Sequence, residues 1–347
     1  MDTNKILLVN SMVYGQSVGS FVKGIINNLH NEQNLYTLIY AKKNKEKPLE
    51  GHKLYGLYPP ILSGWFINTH FQGIVFHNFK KFAKKWSKNG IIHYLLQQTK
   101  PFNLPNSTVT IHDLIPILYS DIIPRFSTKL LENNLKFYSK LPLISTVSNT
   151  VKKSLIDYGF DGKIMVTYNP KSKDFYPLET DKEELRKQLN LPLDKKLILS
   201  VGSTSPIKNL KILKPLMHNL GKDYRLVRVG NPIANSISFK DIAPETLNKL
   251  YNACDCFIMP SLYEGFGLPV LEAFSAGLPV VASDIATFRE ITGDAAILSE
   301  QNIFSYSVSI KDAINNNNEF KAKGLKRSDF FSNEKFKKQI TDFYNTI

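Results

Sequence analysis

The sequence predicts an α/β protein with two doubly wound, Rossmann-like domains that face each other across a central cleft. Short runs rich in Ile, Leu and Val alternate with helical patterns along the chain. The runs are nearly continuously apolar, which is typical of parallel strands covered by helices on both faces. The pattern pauses at residues 168–178, which contain two prolines, and then restarts. Ligands of such sheets bind beyond the carboxyl ends of the strands, so we expect the functional residues there.

The individual elements follow from the period of the apolar residues and from turn and cap residues at their ends. The predicted strands are Lys5–Asn10, Leu35–Tyr40, Gly90–His93, Thr108–His112, Leu143–Val147, Ile164–Thr167, Leu197–Val201, Leu226–Val229, Cys256–Met259 and Val280–Ala282. The predicted helices are Ser20–His30, Asn149–Tyr158, Asp181–Leu189, Pro244–Tyr251, Pro269–Ala276, Ile303–Asn315 and Asn333–Ile347.

Length and composition are those of a globular protein with two domains. The chain has 347 residues, of which 43% are hydrophobic, and it lacks an apolar run of about 18 residues that could span a membrane. The start of the chain lacks the long apolar core of a signal peptide, so we expect a cytoplasmic protein. Cys254 and Cys256 are the two cysteines, and their spacing in an extended segment favours buried, reduced thiols over a disulfide.

The positive charge is concentrated in the first half of the chain. The net charge is +14, and residues 1–175 carry 22 Lys and Arg against 10 Asp and Glu. This excess predicts an acidic partner for the first half: a phospholipid surface, a lipid-linked phosphate or nucleic acid. Within it, residues 79–88 place Phe79, Phe82 and Trp86 on one side of a lysine-rich helical pattern. Such a basic amphipathic helix either lies on an anionic membrane or packs its aromatic side chains into the first domain.

Residues 261–283, SLYEGFGLPVLEAFSAGLPVVAS, hold the most specific functional pattern. Two carboxylates, Glu264 and Glu272, stand eight positions apart around a Gly-Phe-Gly turn that leads into a helix. Pro269 suits the first turn of that helix, and Gly277 suits a left-handed cap at its end. Free amide groups at a helix start attract anions, so a carboxylate beside them fits a ligand with both phosphate and hydroxyl groups. A nucleotide sugar meets this description.

The same residues resemble the Glu-x7-Glu signature of retaining nucleotide-sugar glycosyltransferases of family 4, also called glycosyl transferases group 1. Asp255, Pro260-Ser261 and Glu290 are in register with that signature. The resemblance implies the GT-B fold, with an acceptor-binding domain at residues 1–175 and a nucleotide-sugar-binding domain at 176–330. It also implies that residues 331–347 form a helix that crosses back to the first domain.

By this resemblance, the donor sits on the second domain. Glu264, Gly265, Phe266, Gly267 and Leu268 hold the sugar and the distal phosphate. The ribose hydroxyl groups bind to Glu272.

The segment Val201–Leu210 is similar to the phosphate loop of the same family. Lys208 follows a buried strand and a short turn, where a cation is well placed to stabilise a leaving diphosphate. The resemblance assigns Ser203 and Lys208 to the donor. Ser203 and Ile207 stand where an arginine is common, and Arg228 at the end of the next strand is a candidate replacement for that second cation.

Two further positions of the first domain match the family pattern. His112 ends the strand before Asp113, at the edge of the sheet where a ligand is expected. The resemblance gives His112 a contact with the donor sugar near the reacting carbon. Gly19 belongs to the Met12–Ser20 segment, which resembles the family's acceptor and phosphate loop after the first strand, and the resemblance counts Gly19 among the donor-binding residues.

Together these residues predict a hexosyltransferase that moves a sugar from a UDP- or GDP-sugar to a glycan or lipid-linked acceptor. The predicted catalytic residues are His112, Lys208 and Glu264. No Asp-x-Asp motif occurs in the sequence, so we expect no metal site and no cofactor. We expect peripheral contact with the inner membrane face and no specific nucleic acid. Two alternatives stay open: a GT-B epimerase or phosphorylase, and a non-catalytic basic protein on a GT-B fold.

Overall fold

The computed structural model describes residues 5–10, 17–29, 34–39, 53–56, 84, 86–88, 90–99, 101, 103–233 and 235–347. The chain divides into two compact units. Unit 1 consists of Met1–Pro170 and Asn333–Ile347, and unit 2 consists of Lys171–Ser332. The segment 168–178 has no helix or strand, and the division falls within it.

Unit 1 contains a seven-stranded parallel sheet with the order β3-β2-β1-β4-β5-β6-β7. Its strands are β1 (Lys5–Asn10), β2 (Asn34–Ile39), β3 (Lys53–Gly56), β4 (Ile91–Tyr94), β5 (Ser107–Ile111), β6 (Leu143–Thr146) and β7 (Lys163–Val166). Its described helices are α1 (Ser17–Leu29), α2 (Ile115–Leu118), α3 (Arg125–Tyr138), α4 (Asn149–Asp157) and, from the end of the chain, α12 (Asn333–Thr346).

Unit 2 contains a six-stranded parallel sheet with the order β10-β9-β8-β11-β12-β13. Its strands are β8 (Lys196–Val201), β9 (Tyr224–Val229), β10 (Ser236–Phe239), β11 (Cys256–Met259), β12 (Val280–Ser283) and β13 (Ile297–Ser299). Its helices are α5 (Lys182–Gln188), α6 (Leu213–Leu220), α7 (Pro244–Ala253), α8 (Leu268–Ser275), α9 (Ala286–Thr292), α10 (Ile303–Asn315) and α11 (Asn317–Asp329). Short 3-10 turns occupy Pro206–Lys208 and Leu210–Ile212.

The sheet of unit 2 has a hydrophobic core on each face, because successive side chains of a strand point to opposite sides. Leu197 and Leu199 of β8 pack in one core, with residues of α7 and α8. Ile198 packs in the other core, with residues of α6 and α10. This arrangement confirms the predicted α/β class with doubly wound parallel sheets. Cys254 and Cys256 are free and buried, and burial raises the pKa of the Cys254 thiol to about 12.

The returning helix α12 completes the core of unit 1. Phe336 packs edge to face against Phe21 of α1, with 5.6 Å between the ring centroids. A Cβ atom on Gly24 of α1 would lie 2.7 Å from Pro170 and 3.3 Å from Phe336, so only glycine permits this approach. Buried Tyr344 bonds through its hydroxyl to Nδ1 of His93 at 2.8 Å. Among the described residues, none of the helices combines the length and the apolar character needed to span a bilayer.

Replacement of Tyr344 by Phe should destabilise unit 1 by about 1–2 kcal/mol, because it leaves a buried ring nitrogen of His93 without its hydrogen bond. The sequence of unit 2 has no tryptophan, and Trp86 is half-buried in unit 1, so tryptophan fluorescence during urea denaturation can follow unit 1. Tyr176→Phe is the matched control, since Tyr176 is 53% exposed. Equal unfolding free energies for the two variants would contradict the assigned role of Tyr344.

Candidate functional site

The candidate donor site of unit 2 lies at the carboxyl edge of its sheet, where the loops after β8 and β11 meet. The two strands are hydrogen-bonded neighbours, so both chains leave the sheet at the same edge. The amide of Leu262 donates to the carbonyl oxygen of Ile207 at 2.8 Å and joins the two loops. The strand pairing thus brings the phosphate-loop segment beside the Glu-x7-Glu segment.

Lys208 and Glu264 form an ion pair across these two loops. The Lys208 Nζ lies 2.6 Å from Glu264 Oε1. The Glu264 side chain is only 9% exposed, whereas the Lys208 side chain is 24% exposed and therefore reachable from solvent. Asn209, directly after Lys208, adopts a left-handed conformation with φ of 50° and separates the two 3-10 turns. A compact cation thus sits at the surface of unit 2, held by a nearly buried carboxylate.

The turn from Glu264 to Gly267 is fixed by contacts with α9. Gly267 caps the start of α8 with φ of +96°, a conformation that favours glycine, and a Cβ there would lie 2.7 Å from the ring of Phe288. The hydroxyl of Thr287 donates to the carbonyl oxygen of Glu264 at 2.6 Å. These contacts hold the backbone of the turn in one conformation.

The remaining turn residues are buried at the start of α8. Gly265 and Phe266 precede the helix, and Leu268 is its first residue. The ring of Phe266 packs edge to face with Phe331, with 5.4 Å between centroids. Pro269 occupies the first turn, where no intrahelical partner for an amide is needed. The first amide groups of a helix lack partners within it, so this turn can bind an anion.

Glu272 lies in the second turn of α8 and is half-buried. Its Oε2 accepts a hydrogen bond of 2.8 Å from the hydroxyl of buried Tyr251. Burial raises the pKa of Glu272 to about 7, and the carboxylate of Asp174 acts in the same direction, while the bond from Tyr251 partly offsets them. The Glu272 carboxyl group therefore changes its charge near neutral pH.

Ser203 and Arg228 lie at the same edge of the unit 2 sheet as Lys208, but neither supplies a second exposed cation. Ser203 belongs to the exposed turn after β8. Arg228 lies in β9 with a fully buried side chain, and its guanidinium donates to carbonyl oxygens of the β8 turn. Its guanidinium thus lies beneath the loop, and the candidate role of Arg228 as a replacement for the second cation stays a prediction.

In unit 1, His112 directly follows β5 at the carboxyl edge of the sheet. Its Nε2 bonds to the carbonyl oxygen of Leu95 at 2.9 Å, so Nε2 carries the proton and Nδ1 is the acceptor of the neutral ring. Burial lowers the pKa of His112 to about 4, although the Leu95 carbonyl opposes this. The Gln97 side chain accepts from the amide of His112 and donates to the carbonyl oxygen of Asp113. His112 is thus a neutral, oriented imidazole at pH 7.

Gly19 lies in the first turn of α1, because that helix begins at Ser17. The prediction that Met12–Ser20 is entirely loop is therefore wrong for residues 17–20, while residues 11–16 lie outside the described residues. Phe21, two positions after Gly19, packs edge to face on His112 with 5.3 Å between centroids. The start of α1 and the end of β5 are thus neighbours in unit 1.

The predicted basic helix at residues 79–88 lies largely outside the described residues. Within it, Lys84 and Lys88 are exposed, Trp86 is half-buried and Ser87 is buried. The side chain of Asn106 donates to the Ser87 carbonyl oxygen at 3.3 Å. Contact of this segment with a membrane stays a prediction.

Comparison with known proteins gives one family and a consistent set of relatives. Residues 181–328, nearly all of unit 2, match the family Glycosyl transferases group 1. The chain is 28% identical over 217 residues to the O-antigen chain mannosyltransferase RfbU of Salmonella typhimurium, a match that covers 56% of each chain. It is 27% identical over 234 residues to the O-antigen chain mannosyltransferase B of Escherichia coli, covering 58% of this chain and 59% of that protein. The matched part thus spans somewhat more than half the length of these relatives.

Solved structures resemble the chain over nearly its whole length. Sucrose-phosphate synthase from Thermosynechococcus elongatus superposes with a TM-score of 0.80 at 17% identity, covering 99% of this chain and 98% of that one. HepE from Anabaena in complex with UDP-glucose superposes with a TM-score of 0.77 at 15% identity, covering 99% and 100%. At such low identity these similarities establish the fold alone.

The solved glycosyltransferase structures thus show the fold of the chain, two doubly wound parallel sheets, and the family match falls on the unit that holds the paired loops. Its residues 181–328 carry the domain of the Glycosyl transferases group 1. The match supports the resemblance of the Glu-x7-Glu segment to glycosyl transferases group 1, and the predicted fold is confirmed.

Several contacts at the site carry no clear signal in the sequence. Tyr251, Thr287 and Gln97 support Glu272, Glu264 and His112, respectively. Each lies in an element distant in sequence from the residue that it supports. The order of the strands in each sheet brings these elements together. The spacing of residues along the chain does not predict these contacts.

The stability of unit 1 should fall as the pH drops below 6.5. The pKa of His112 is lowered to about 4 and that of His93 to about 3 by burial, so the unfolded chain takes up these protons first. The stabilisation is complete above pH 6.5 and decreases as the pH falls towards 4, by about 2 kcal/mol for each histidine at pH 5. Urea denaturation followed by tryptophan fluorescence between pH 7.5 and 5 measures it.

His112→Gln should reduce this pH dependence, because one of the two buried imidazoles no longer titrates. His218→Gln is the control, since His218 is exposed in unit 2 and should leave the profile unchanged. A wild-type stability that is flat from pH 7 to 5 would contradict the lowered pKa values of both rings.

Proposed function

We propose that the protein is a retaining, metal-independent hexosyltransferase of family 4 that uses a nucleotide-diphosphate sugar as donor. The observation that carries this proposal is the Lys208–Glu264 ion pair at the carboxyl edge of unit 2, beside the start of α8. A cation, a carboxylate and the start of a helix within one pair of loops match the phosphates and hydroxyl groups of such a donor.

Donor binding exchanges one partner of the ion pair for another. In the donor-free protein, Lys208 and Glu264 neutralise each other at 2.6 Å. The donor diphosphate brings a more strongly negative group and takes Lys208 as its counter-charge. Glu264 is then free to accept hydrogen bonds from the sugar hydroxyl groups, and Glu272 accepts those of the ribose. The amide groups at Phe266–Leu268 bind the distal phosphate.

The reaction breaks the bond between the anomeric carbon and the phosphate oxygen and forms a bond from that carbon to an acceptor hydroxyl oxygen on the same face. The leaving phosphate oxygen takes the acceptor proton. Negative charge grows on that oxygen, so Lys208 and the fixed amide dipoles lower the barrier most when aimed at it. The roles of His112 at the donor sugar and of Gly19 at the phosphate and acceptor, both in unit 1, stay predictions.

The substrate classes follow from the relatives. RfbU and mannosyltransferase B act on O-antigen chains as mannosyltransferases, and HepE was solved with UDP-glucose. We propose a UDP- or GDP-hexose as the donor and a growing glycan or lipid-linked sugar as the acceptor, with no specific nucleic acid. Lys208 and the helix amides supply the positive charge, and the reaction therefore needs no metal ion.

Lys208→Met should lower the rate of sugar transfer at least 100-fold, because the charge on the leaving phosphate loses its counter-charge. A thermal-shift panel of UDP- and GDP-hexoses identifies the donor first, since a specific ligand raises the melting temperature. Donor hydrolysis and transfer are then measured with and without EDTA. Lys211→Met is the matched control, because Lys211 is exposed three residues away.

Glu264→Ala should likewise abolish hydrolysis and transfer, whereas exposed Glu245→Gln should retain both. If the wild-type protein binds no nucleotide sugar but binds DNA and anionic liposomes with steep salt dependence, it is a basic binding protein and the proposal fails. Loss of activity in EDTA would refute metal independence alone.

Donor affinity should rise with pH between 6 and 8. The pKa of Glu272 lies near 7 because its carboxyl group is buried, and only the ionised form accepts hydrogen bonds from both ribose hydroxyl groups. Below pH 7 we expect the affinity for the nucleotide sugar to fall up to tenfold per pH unit, measured by calorimetry. Glu272→Gln should bind the donor weakly, with an affinity that does not change with pH. Glu245→Gln should show the same pH dependence of donor affinity as the wild type. A flat wild-type profile would exclude Glu272 as the ribose ligand.

A further inference from the structure

Arg228 is a fully buried cation directly beneath the loop that follows β8. It is the largest side chain of the described residues that is fully buried. Its Nη1 donates to the carbonyl oxygens of Ser200 at 3.0 Å and Val229 at 2.7 Å. Its Nη2 donates to the carbonyl oxygens of Gly202 and Ser203. The guanidinium thus binds the end of β8, the turn that follows it and the end of β9.

The charge of Arg228 is not neutralised by an acidic side chain among the described residues. The ion pairs of the described part of the chain do not include it, and its buried Nε has no hydrogen-bond partner there. Burial lowers the pKa of Arg228 to about 10, so the group is still cationic at pH 7. A buried guanidinium normally costs stability unless a carboxylate compensates it. Here carbonyl dipoles alone do so, and a net positive charge remains under the turn.

The hydrogen bonds from Arg228 also determine which way the amide groups of the turn point. In a trans peptide unit the C=O of one residue and the N–H of the next point in opposite directions. The carbonyl groups of Gly202 and Ser203 point towards the buried guanidinium. The N–H groups of Ser203 and Thr204 therefore point away from it, and neither donates to another described residue. Successive outward amides of this kind form an anion-binding concavity.

Gly230 makes this close packing possible. It has φ of +131°, and a Cβ on it would lie 2.3 Å from the Gly202 carbonyl oxygen and 2.9 Å from Arg228 Nη2. No side chain fits in that space. The residue that follows β9 therefore packs directly against both the turn after β8 and the Arg228 guanidinium.

We propose that Arg228 is a positioning residue for the donor diphosphate, an inference that rests on the proposed nucleotide-sugar chemistry of unit 2. Its guanidinium pulls the carbonyl groups of the turn inward, presents the amides of Ser203 and Thr204 to a phosphate, and adds a positive charge behind them. Lys208 follows on the same loop at its exposed end. The phosphates are then held by one exposed cation and by one buried cation that acts through the backbone.

The test compares ligands with and without the diphosphate. Binding of UDP, GDP, uridine and guanosine is measured for the wild type, Arg228→Gln and Arg228→Lys by calorimetry and ligand-detected NMR. Arg228→Gln should lower the affinity for the nucleoside diphosphate at least tenfold and change the affinity for the nucleoside less than twofold. Arg228→Lys keeps the charge but has fewer donors, so a smaller loss of three- to tenfold is expected. Arg225→Gln is the control, since Arg225 is exposed on the same strand.

The outcomes separate this proposal from the proposed function. If Arg228→Gln lowers the affinities for nucleoside and nucleoside diphosphate by the same factor, or lowers neither affinity, Arg228 has only a structural role and the inference is wrong. If Arg228→Gln does not fold, the Arg228→Lys variant provides the test. Its affinity loss for the nucleoside diphosphate is then compared with its affinity loss for the nucleoside. If the wild type binds none of the nucleotides, the proposed function itself fails.

Discussion

The parallel pairing of β8 with β11 is the constraint on which the candidate donor site depends. Lys208 and Glu264 are 56 positions apart in the sequence, yet their charged atoms lie 2.6 Å apart because both follow neighbouring strands at one edge. β9 pairs with β8 on its other side and brings Arg228 to the same edge. Two sheet neighbours of β8 thus place one cation beneath the loop that follows it and one carboxylate beside Lys208 in that loop.

In unit 2 the central strands could be predicted from the sequence, but the two edge strands could not. β8 and β11 are nearly all apolar because helices cover both faces, and that pattern is visible in the sequence. β10 and β13 are short edge strands with half-exposed residues, so they lack such a pattern. The helix at 317–329 was also missed, because its composition is polar and its apolar stripe is weak.

The sequence predicts which residues belong to the candidate site, but it does not predict the contacts that those residues make. Lys208, Glu264 and Glu272 stand out by their spacing and their family resemblance. That Lys208 and Glu264 neutralise each other, and that Tyr251 donates to Glu272, depends on sheet order and helix packing. In the sequence YRLVRVG, Arg228 is identified only as a cation near the end of a strand. Its burial follows from the alternation of side chains along β9 together with the turn above it, neither of which is local information.

The return of α12 to unit 1 has a consequence for the order of events during translation. Unit 1 is split in the sequence, since residues 171–332 are made between its two parts. At ribosomal speeds of about 5–20 residues per second, this delay lasts roughly 10–30 s. During that interval the nascent first unit exposes the face of α1 around Phe21 and Gly24 that Phe336 later covers. The second unit, being continuous, can finish folding while the first still waits for its last helix.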